Sequence, residues 1–580
     1  MESLMSLKDT FVAAYPIGES PWPLLHIVAV YGTAEMIDCM KRWTRIDWDR
    51  QHTIHEDIFK GASRYPKVKE ATALYLATCL ERTETVRSLV KLAGEDNIRS
   101  CLQGLKFSNE IEHIFMLELA DRLRQKHAEL KPIIVPGHRR EDNGTKSRVF
   151  IVYSMSVVQS KDYDSNGLGL VKLRNPYVIQ RSNNFASGSE MGLLNKSTET
   201  LSNDDVESSQ KDAKRVREAI KTHGDHLWQK HSNLNIITGK QVNINGSQIG
   251  EACVVLYCST KGVIPLGENE FPRTLCIQND VQIKVAVREG FFEFGVYKSI
   301  PSTWPHPTLK MGCEIGRLKP QIGASGHLPS GGTLGPFVRY NNNLGFLTCS
   351  HVLFDIPTPS HTIDYTAVAP PLIEVVQPSS DATLFVSGTP CGVVERAMFD
   401  PTGPIGIDAA IVKLTDQSTV PSAGQFSNER HSSYQKTGFR ELPEYNSGAM
   451  ISAQVNDLLC KPNVVKFGSR TDVTRGALSV FGADVRAFST ALGLPNNAGG
   501  VLMKNQYLVI GIYPSTDFFD GGDSGSGVFY QDSSNGQLQC VGMAIGHGVL
   551  SDYPYKVGVV TPIDAILQAL GSNISLATFP

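Results

Sequence analysis

Apolar residues recur every three or four positions along the first part of the chain. The stretches TETVRSLVKLAG (83–94) and EIEHIFMLELADRL (110–123) show this spacing most clearly. A period near 3.6 residues is typical of helices that bury one face. We therefore predict an α-helical domain over residues 1–131, and we expect it to bind a protein partner.

Two segments of this domain are similar to each other. PLLHIVAVYGTAEMIDCM (23–40) and TALYLATCLERTETVRSLV (72–90) both resemble the ankyrin pattern T-P-L-H-x-A followed by a second helix. Leu25 corresponds to Leu74, so the separation is 49 residues, whereas ankyrin repeats recur after about 33 residues. The sequence is compatible with degenerate ankyrin-like helix pairs and with an unrelated helical bundle.

The apolar pattern weakens between residues 132 and 214. RVFIVYSMSVV (148–158) indicates a strand within a connector that spans residues 132–181. Residues 182–214 are rich in Ser, Asn, Asp and Glu and contain almost no aromatic residue. Such a segment buries too little apolar surface to fold, so we predict a disordered, solvated linker there.

A helix is predicted from about residue 210 to 231, and it carries His223, His226 and His231. Two histidines three residues apart on a helix can bind a metal ion. No cysteine or further ligand set accompanies them, so we interpret this helix as facing solvent and predict no metal site and no cofactor.

Strand patterns dominate the remainder of the chain. EACVVLYC (251–258) and VQIKVAVREGFFEFG (281–295) predict two strands in a small α+β leader domain over residues 215–310. Short apolar segments then recur at regular spacing, separated by Gly, Pro and Asn. This texture predicts an all-β double barrel, with one barrel over 325–425 and the other over 426–575.

Composition and charge exclude several function classes. The 55 basic and 58 acidic residues nearly cancel, so no positive field favours nucleic acid or an anionic membrane. The N-terminus lacks the apolar core of a secretory signal, and no segment reaches the roughly 18 apolar residues of a membrane span. The eleven cysteines are scattered, without a CxxC pair. We therefore expect a reduced, cytoplasmic protein whose thiols are mostly small core residues.

The stretch DFFDGGDSGSGVFYQD (517–532) carries the candidate nucleophile. A serine that attacks a carbonyl carbon needs a tight turn whose amides point into one cavity, and glycine permits that turn. The amides of Gly522 and Ser524 could form such an oxyanion hole beside the Ser524 hydroxyl. Asp523 would then be buried beneath the turn.

A histidine and a carboxylate in matching contexts complete the constellation. In LGFLTCSHV, His351 falls where an apolar strand ends, and in GPIGIDAAIVKL, Asp408 stands at the head of an apolar strand. Each residue alone has an ordinary explanation: a turn, a hydrogen-bonded rim residue or a strand cap. The order His351, Asp408, Ser524, with strands around each, favours a catalytic triad.

The segments LTCSHV, IDAAIVKL and GDSGSGVF resemble the His, Asp and Ser motifs of trypsin-like serine peptidases of the chymotrypsin fold. The resemblance covers roughly residues 325–572. VVKFGSRTDVTRGAL (464–478) and CVGMAIGHGVLSDYPYKVGVVTPIDAIL (540–567) are similar to the bacterial and plant subgroup that includes the plant Narrow-leaf proteins. That subgroup has an α+β leader similar to the one predicted here.

The resemblance implies a role for each residue. Ser524 would be the nucleophile, His351 the general base and Asp408 the group that orients the imidazole. Gly522 and Ser524 would be the oxyanion donors. No Ile-Val-Gly-Gly-like segment precedes the first barrel, so activation by a new N-terminus that pairs with Asp523 is disfavoured.

The resemblance also implies where a substrate side chain would bind. Phe518 and Phe519 would lie at the floor of the primary pocket, and the wall would be Ala544, Ile545 and Gly546. No acidic residue matches the floor position of trypsin, so we expect an uncharged, apolar or small side chain at the cleaved position. Alternatively, His547 lies near the pocket and favours acidic side chains.

Two functions follow from the sequence. The first is a serine endopeptidase that hydrolyses protein or peptide substrates through an acyl-enzyme on Ser524 and is targeted by its N-terminal domain. The second is a scaffold or receptor whose peptidase-like domain is non-catalytic or cleaves only itself. Some members of the subgroup assemble into oligomers, so the resemblance also makes self-association an option.

Overall fold

The fold was analysed in a computed structural model. It describes residues 24–41, 48–49, 51–53, 70–105, 108–126, 133–140, 146–153, 171–174, 203–242, 251–278, 281–294, 305–318, 331–354, 362–379, 388–415, 420–427, 434, 437, 439, 441–451, 463–479, 481–487, 500–512, 517–532, 536–553 and 555–580. The chain divides into two compact units. Unit 1 comprises Met1–Asn175 and Gly262–Asn269, and unit 2 comprises Pro176–Lys261 and Glu270–Pro580.

The described helices, numbered along the chain, are α1 Leu24–Tyr31, α2 Ala34–Met40, α3 Ala73–Cys79, α4 Thr83–Val90, α5 Glu95–Gly104, α6 Asn109–Lys126, α7 Asn203–Lys230, α8 Ser350–Leu353 and α9 Ile563–Leu570. The described strands are β1 His52–Thr53, β2 Glu70–Ala71, β3 Ile133–Arg140, β4 Lys146–Tyr153, β5 Val171–Arg174, β6 Leu234–Val242, β7 Glu251–Cys258, β8 Val263–Pro265, β9 Thr274–Cys276, β10 Gln282–Phe294, β11 Glu314–Arg317, β12 Gly332–Thr333, β13 Phe337–Tyr340, β14 Asn343–Thr348, β15 Ile363–Asp364, β16 Glu374–Gln377, β17 Thr389–Asp400, β18 Ile407–Leu414, β19 Asn463–Gly468, β20 Asp472–Leu478, β21 Ala483–Arg486, β22 Leu502–Gly511, β23 Gly527–Gln531, β24 Leu538–Leu550, β25 Val557–Pro562 and β26 Ile574–Leu576.

Unit 1 contains six of these helices, the two-stranded sheet of β1 and β2, and a larger sheet of four strands. The two similar segments of the N-terminal region each form a pair of short helices, α1 with α2 and α3 with α4. Thr72 caps α3 by accepting a hydrogen bond from the Tyr75 amide. The apolar faces of the helices share one buried cluster with Ile134 and Phe150 of the larger sheet. The ankyrin-like assignment stays a prediction.

The larger sheet of unit 1 has the strand order β5, β4, β3, β8. The strand predicted over 148–158 is observed as β4, and residues 154–158 lie outside the described residues. Strand β8 comes from the segment 262–269, far along the chain, and pairs antiparallel with β3. The sequence did not indicate that the predicted leader domain donates a strand to unit 1.

Helix α7 begins at Asn203, inside the segment 182–214 that was predicted as a linker. Within that segment, residues 182–202 lie outside the described residues. Ala213, Val216 and Ala219 are buried and lie at helical spacing, which explains why the helix extends into a polar stretch. Val216 and Ala219 pack in one cluster with Val254 and Leu256 of β7, so the helix covers a sheet and does not simply face solvent as predicted.

The three histidines of this region lie in different environments. His226 is exposed. His223 Nε2 lies 2.5 Å from the Cys276 carbonyl oxygen, and His231 is buried with its ring centroid 4.4 Å from that of Phe271. Within the described residues these histidines are not part of a metal-ligand cluster.

Two sheets build the C-terminal half. The nine-stranded sheet has the order β12, β11, β16, β17, β18, β14, β13, β26, with β15 beside β17. In the other sheet, the order β20, β19, β23, β24, β25, β22 closes into a barrel because β20 also pairs with β22. Strand β11 precedes the predicted start at residue 325, and β26 returns the end of the chain to β13.

The leader strands continue the sheet of the second barrel. Beyond β22 the order runs through β21, β6, β7, β10 and β9, which makes an eleven-stranded sheet. The predicted leader is therefore joined to the barrel by backbone hydrogen bonds.

Of the nine cysteines whose burial is described, only Cys276 is exposed. In the described part of the chain, no helix is both long and apolar enough to span a membrane.

Candidate active site

His351 lies on α8, the short helix that follows β14. Its neighbour Ser350 anchors the helix, since Ser350 Oγ lies 3.0 Å from the Met398 carbonyl oxygen and 2.8 Å from that of Ala409. Both His351 and Ser350 are buried. Helix α8 is thereby fixed against β17 and β18, which limits the positions that the imidazole can take.

Asp408 is the second residue of β18 and has no exposed surface. One carboxylate oxygen, Oδ2, lies 2.5 Å from His351 Nδ1, and the other, Oδ1, accepts a hydrogen bond of 3.1 Å from the His351 amide. The carboxylate thus fixes both the ring and the backbone of the histidine. A negative charge at this distance also stabilises an imidazolium ion.

Ser524 lies in the turn before β23, and its hydroxyl faces the imidazole. Ser524 Oγ is 3.0 Å from His351 Nε2 and 3.3 Å from the Ile545 carbonyl oxygen. Ile545 lies where the register between β24 and β25 shifts. Such bulges are common beside functional sites because they redirect backbone groups. The structure therefore brings His351, Asp408 and Ser524 together from three distant parts of the chain.

Two glycines shape the turn around Ser524. Gly522 and Gly525 have φ angles of 105° and 94°, which disfavour side chains. A Cβ atom on Gly525 would lie 2.4 Å from both the Thr333 carbonyl oxygen and Thr348 Oγ1. The Gly525 amide donates to the Ala544 carbonyl oxygen at 2.9 Å. The turn therefore fits only because glycine occupies position 525.

The predicted oxyanion donors lie on this turn. The Gly522 carbonyl oxygen points away from solvent and accepts hydrogen bonds from Thr333 Oγ1 and Ser469 Oγ at 2.9 and 2.8 Å. The Ser524 carbonyl oxygen accepts from the Thr333 amide at 2.8 Å. These bonds hold the Gly522–Asp523 and Ser524–Gly525 peptide groups, while the role of the Gly522 and Ser524 amides stays a prediction.

Asp523 is fully buried beneath the turn, as the sequence suggested, and it pairs with Lys466 of β19. The distance from Lys466 Nζ to Asp523 Oδ2 is 3.0 Å, and neither side chain has exposed surface. Thr471 Oγ1 donates to the same oxygen, and the Arg470 and Thr471 amides donate to Oδ1. Burial lowers the pKa of Lys466, and the charge of Asp523 opposes that effect.

The residues predicted to form a specificity pocket lie in two settings. Phe518, Phe519 and Ala544 belong to a buried cluster of the second barrel. The ring of Phe518 contacts the backbone of Gly476 and Gly558 so closely that neither could carry a Cβ, which places Phe518 in the barrel core, and its role in a pocket stays a prediction.

The remaining pocket residues follow one another along β24 next to Ser524. Ile545 and Gly546 are buried, and the His547 ring stacks against Phe519 with a centroid distance of 6.1 Å. His547 Nε2 also lies 3.7 Å from Glu293 Oε2 of β10. An acidic partner for His547 was not expected from the sequence.

One cluster among the described residues has side chains of metal-binding type: Cys349, His351 and Asp408. Metal ions bind the thiolate form of cysteine. Burial, followed by the nearby Asp408 charge, raises the pKa of Cys349 well above its usual value. Its Sγ lies 3.5 Å from the Ala544 carbonyl oxygen. The thiol is therefore a weak donor in the core, and the histidine and aspartate already bond to each other.

The sequence did not reveal Lys466, Thr333, Ser350 or Phe294 as parts of this site. Lys466 could have been noticed because it interrupts the apolar segment NVVKFG. Thr333 and Ser350 carry no signal of their own, since hydroxyl residues are common at strand ends. Phe294 lies in an apolar strand, and only the pairing of β10 brings its ring to 5.2 Å from that of His351.

Comparisons with known proteins give structural likeness only. No protein-family model matches the sequence, and no curated protein matches it. Similar solved structures are serine proteases of the chymotrypsin fold. They include a glutamic-acid-specific serine protease that uses a histidine triad in substrate binding (18% identity, TM-score 0.28), Thermobifida fusca Protease A (14%, 0.25) and alpha-lytic protease homolog N4 (12%, 0.25).

These likenesses cover 46, 47 and 46% of this chain and 100, 99 and 98% of the three proteases, respectively. TM-scores and identities of this size do not support a functional argument. We therefore base the functional proposal on the geometry of the three side chains.

Proposed function

We propose that the protein is a serine peptidase in which Ser524 is the nucleophile, His351 the general base and Asp408 the residue that orients the imidazole. The observation that supports this proposal is the buried chain of hydrogen bonds from Asp408 Oδ2 through His351 to Ser524 Oγ, at 2.5 and 3.0 Å. A serine hydroxyl is a poor nucleophile unless an adjacent base takes its proton.

The reaction follows from this geometry. Ser524 Oγ attacks the carbonyl carbon of the cleaved bond while its proton moves to His351 Nε2. Asp408 stabilises the imidazolium, which then gives the proton to the leaving amine. Water activated by His351 hydrolyses the acyl-enzyme. Each oxyanion donor, here proposed as the Gly522 and Ser524 amides, lowers the barrier by about 2.7–4 kcal/mol.

We propose that the side chain before the cleaved bond is uncharged. The alternative preference for acidic side chains depends on His547 as the binding group. Glu293 already lies 3.7 Å from His547 Nε2, so a substrate carboxylate would meet a second negative charge there. The apolar Phe519 and Ile545 remain the better match to an apolar or small side chain. Unit 1 stays the proposed docking domain for a protein partner.

The test is covalent labelling with a fluorophosphonate probe. The full chain should become labelled, and Ser524→Ala should lose the label while its circular dichroism spectrum stays unchanged. Ser526→Ala is a matched control, because Ser526 lies two residues away in the same turn, and it should still be labelled. A folded wild-type chain that takes no label would favour the scaffold or receptor alternative.

A further inference from the structure

Strand β10 has three partner strands along its length, the first of which is β9, paired antiparallel with residues 282–284. Residues 285–289 pair parallel with β7 of the leader, whereas residues 290–294 pair antiparallel with β24. In the last part, Gly290 lies opposite Leu550 and Phe294 lies opposite Gly546. The leader therefore reaches the strand that carries Ile545.

The edge of β24 that β10 occupies is the one beside Ser524. Strands β23 and β25 both pair with Met543, so they lie on opposite sides of β24. Strand β25 still pairs with Gly546, His547 and Gly548, so β10 must lie on the side of β23. On that side the Ser524 turn lies between β23 and β10. The Gly525 amide donates to the Ala544 carbonyl oxygen, and the Ala544 amide donates to the Ser526 carbonyl oxygen. The edge thus meets β23, the Ser524 turn and β10 in succession.

The direction of β10 leads its end toward the nucleophile. It runs antiparallel to β24, from Leu550 toward Gly546, and Gly546 is next to the Ile545 carbonyl that contacts Ser524 Oγ. Phe294 is buried, and its ring lies 5.2 Å from the His351 ring. An extended peptide that added to this edge in the same direction would bring the bond after its last paired residue to Ser524.

Several contacts hold β10 on the edge. Phe291, Phe292 and Phe294 are each at most 5% exposed, and Glu293 lies within ion-pair distance of His547. Removal of the strand would expose the three phenylalanine rings to water, which is unfavourable. Strand β10 is therefore a stable part of the sheet, and a substrate would not easily displace it.

We propose that Gly290–Phe294 of β10 takes the place of the residues that precede the cleaved bond in a long substrate. The site then accepts peptides with a short segment before that bond, about one or two residues at 3.3 Å each. The substrate class is peptides cleaved close to their N-terminus. This inference rests on the proposed function, because it describes the substrate of the Ser524 site.

The experiment measures kcat/KM for wild-type protein on acetylated substrates with one, two or four uncharged residues before the same aminocoumarin leaving group. We expect kcat/KM to change less than about threefold from two residues to four. A tenfold or larger rise would overturn the inference and leave the peptidase proposal intact. Absence of both hydrolysis and probe labelling would overturn the peptidase proposal and this inference with it.

A variant tests whether β10 is the reason that kcat/KM does not rise with substrate length. Proline is disfavoured inside a sheet, so Glu293→Pro, at the position opposite His547, should loosen the pairing of β10 with β24. In this variant the four-residue substrate should gain at least tenfold in kcat/KM over wild type. Gln282→Pro is the matched control, because proline is tolerated at the first residue of a strand, and it should behave as wild type. A folded Glu293→Pro protein without the gain would overturn the inference. If that variant does not fold, the wild-type length series decides.

Discussion

At the scale of single residues, the Lys466–Asp523 ion pair shows how the Ser524 turn is supported. Both charges are removed from water, which is costly, and the pair is compensated by its mutual attraction and by donors from Arg470 and Thr471. The cation comes from a side chain of β19 and not from a chain terminus. This agrees with the absence of an Ile-Val-Gly-Gly-like segment ahead of the first barrel.

Replacement of Lys466 by methionine should destabilise the protein strongly. Lys466→Met leaves the Asp523 carboxylate buried without its cation, which typically costs about 3–5 kcal/mol. Urea unfolding should show this loss, and fluorophosphonate labelling of Ser524 should fall in parallel. The double variant Lys466→Met/Asp523→Asn should recover part of the stability. If the double variant is as unstable as the sum of the two single variants, the residues do not act as a pair.

The three residues of the proposed triad could be predicted from the sequence, but the residues that hold them in position could not. His351, Asp408 and Ser524 each stand at a strand boundary in a recognisable order. Lys466 escaped notice because a lysine in a strand usually extends to solvent. Only the fold shows that its ammonium group lies beneath the turn. Phe518 and Phe519 both lie in one buried cluster of the barrel, and their place at the floor of a pocket stays a prediction.

At the scale of elements, the short strand β12 connects the nine-stranded sheet to the Ser524 turn. Thr333 donates its amide to the Ser524 carbonyl oxygen and its hydroxyl lies 2.9 Å from the Gly522 carbonyl oxygen. The hydroxyl also lies 3.0 Å from both Ser469 Oγ and the Ser469 amide nitrogen. One side chain thus links β12, the segment after β19 and the turn.

Thr333→Val should lower activity more than it lowers stability. Valine keeps the volume but removes the hydroxyl, so the Gly522 carbonyl loses one of its two donors, at an expected cost of about 1–2 kcal/mol. Because the Gly522 peptide becomes less fixed, kcat should fall while KM changes little. Thr402→Val is a suitable control, since the Thr402 hydroxyl donates its hydrogen bond to Asp400 Oδ1 in an exposed turn. Equal losses in both variants would contradict the proposed link.

Element positions were predicted better than element partners. The apolar periods indicated the helices of the N-terminal region and the strands of the C-terminal half. The apolar run of β10 gave no sign that it changes partner at Gly290, because periodicity describes one face of a strand and not its neighbours. Helix α7 begins at Asn203 and not near residue 210, a difference that apolar periodicity does not indicate because the residues at its start are mainly polar.

At the scale of the whole molecule, His231 should make unit 2 sensitive to mild acid. Burial against Phe271, with a smaller effect of His226, lowers the pKa of His231 to about 4, whereas the unfolded chain has a pKa near 6.5. Between about pH 6.5 and pH 4, His231 is therefore protonated in the unfolded state but mainly neutral in the folded state. Stability should fall between about pH 6.5 and 4 and then level off with respect to this group.

The loss from His231 should be at most about 3–4 kcal/mol, because the two pKa values differ by about 2.5 units and one unit corresponds to about 1.36 kcal/mol. Urea unfolding at a series of pH values, followed by the fluorescence of the buried Trp228 in α7, would measure it. His231→Phe should flatten this part of the profile. His226→Phe serves as the control because His226 is exposed, and it should keep most of the slope.

The strand β8 has a consequence for synthesis on the ribosome. Unit 1 needs Val263–Pro265 to complete its sheet, yet these residues are translated after α7, β6 and β7 of unit 2. This chain therefore cannot follow the usual order, in which the N-terminal domain finishes folding first. In a nascent chain stalled before residue 262, the edge of β3 that pairs with β8 should be unpaired. A chaperone should bind the chain most readily at this stage.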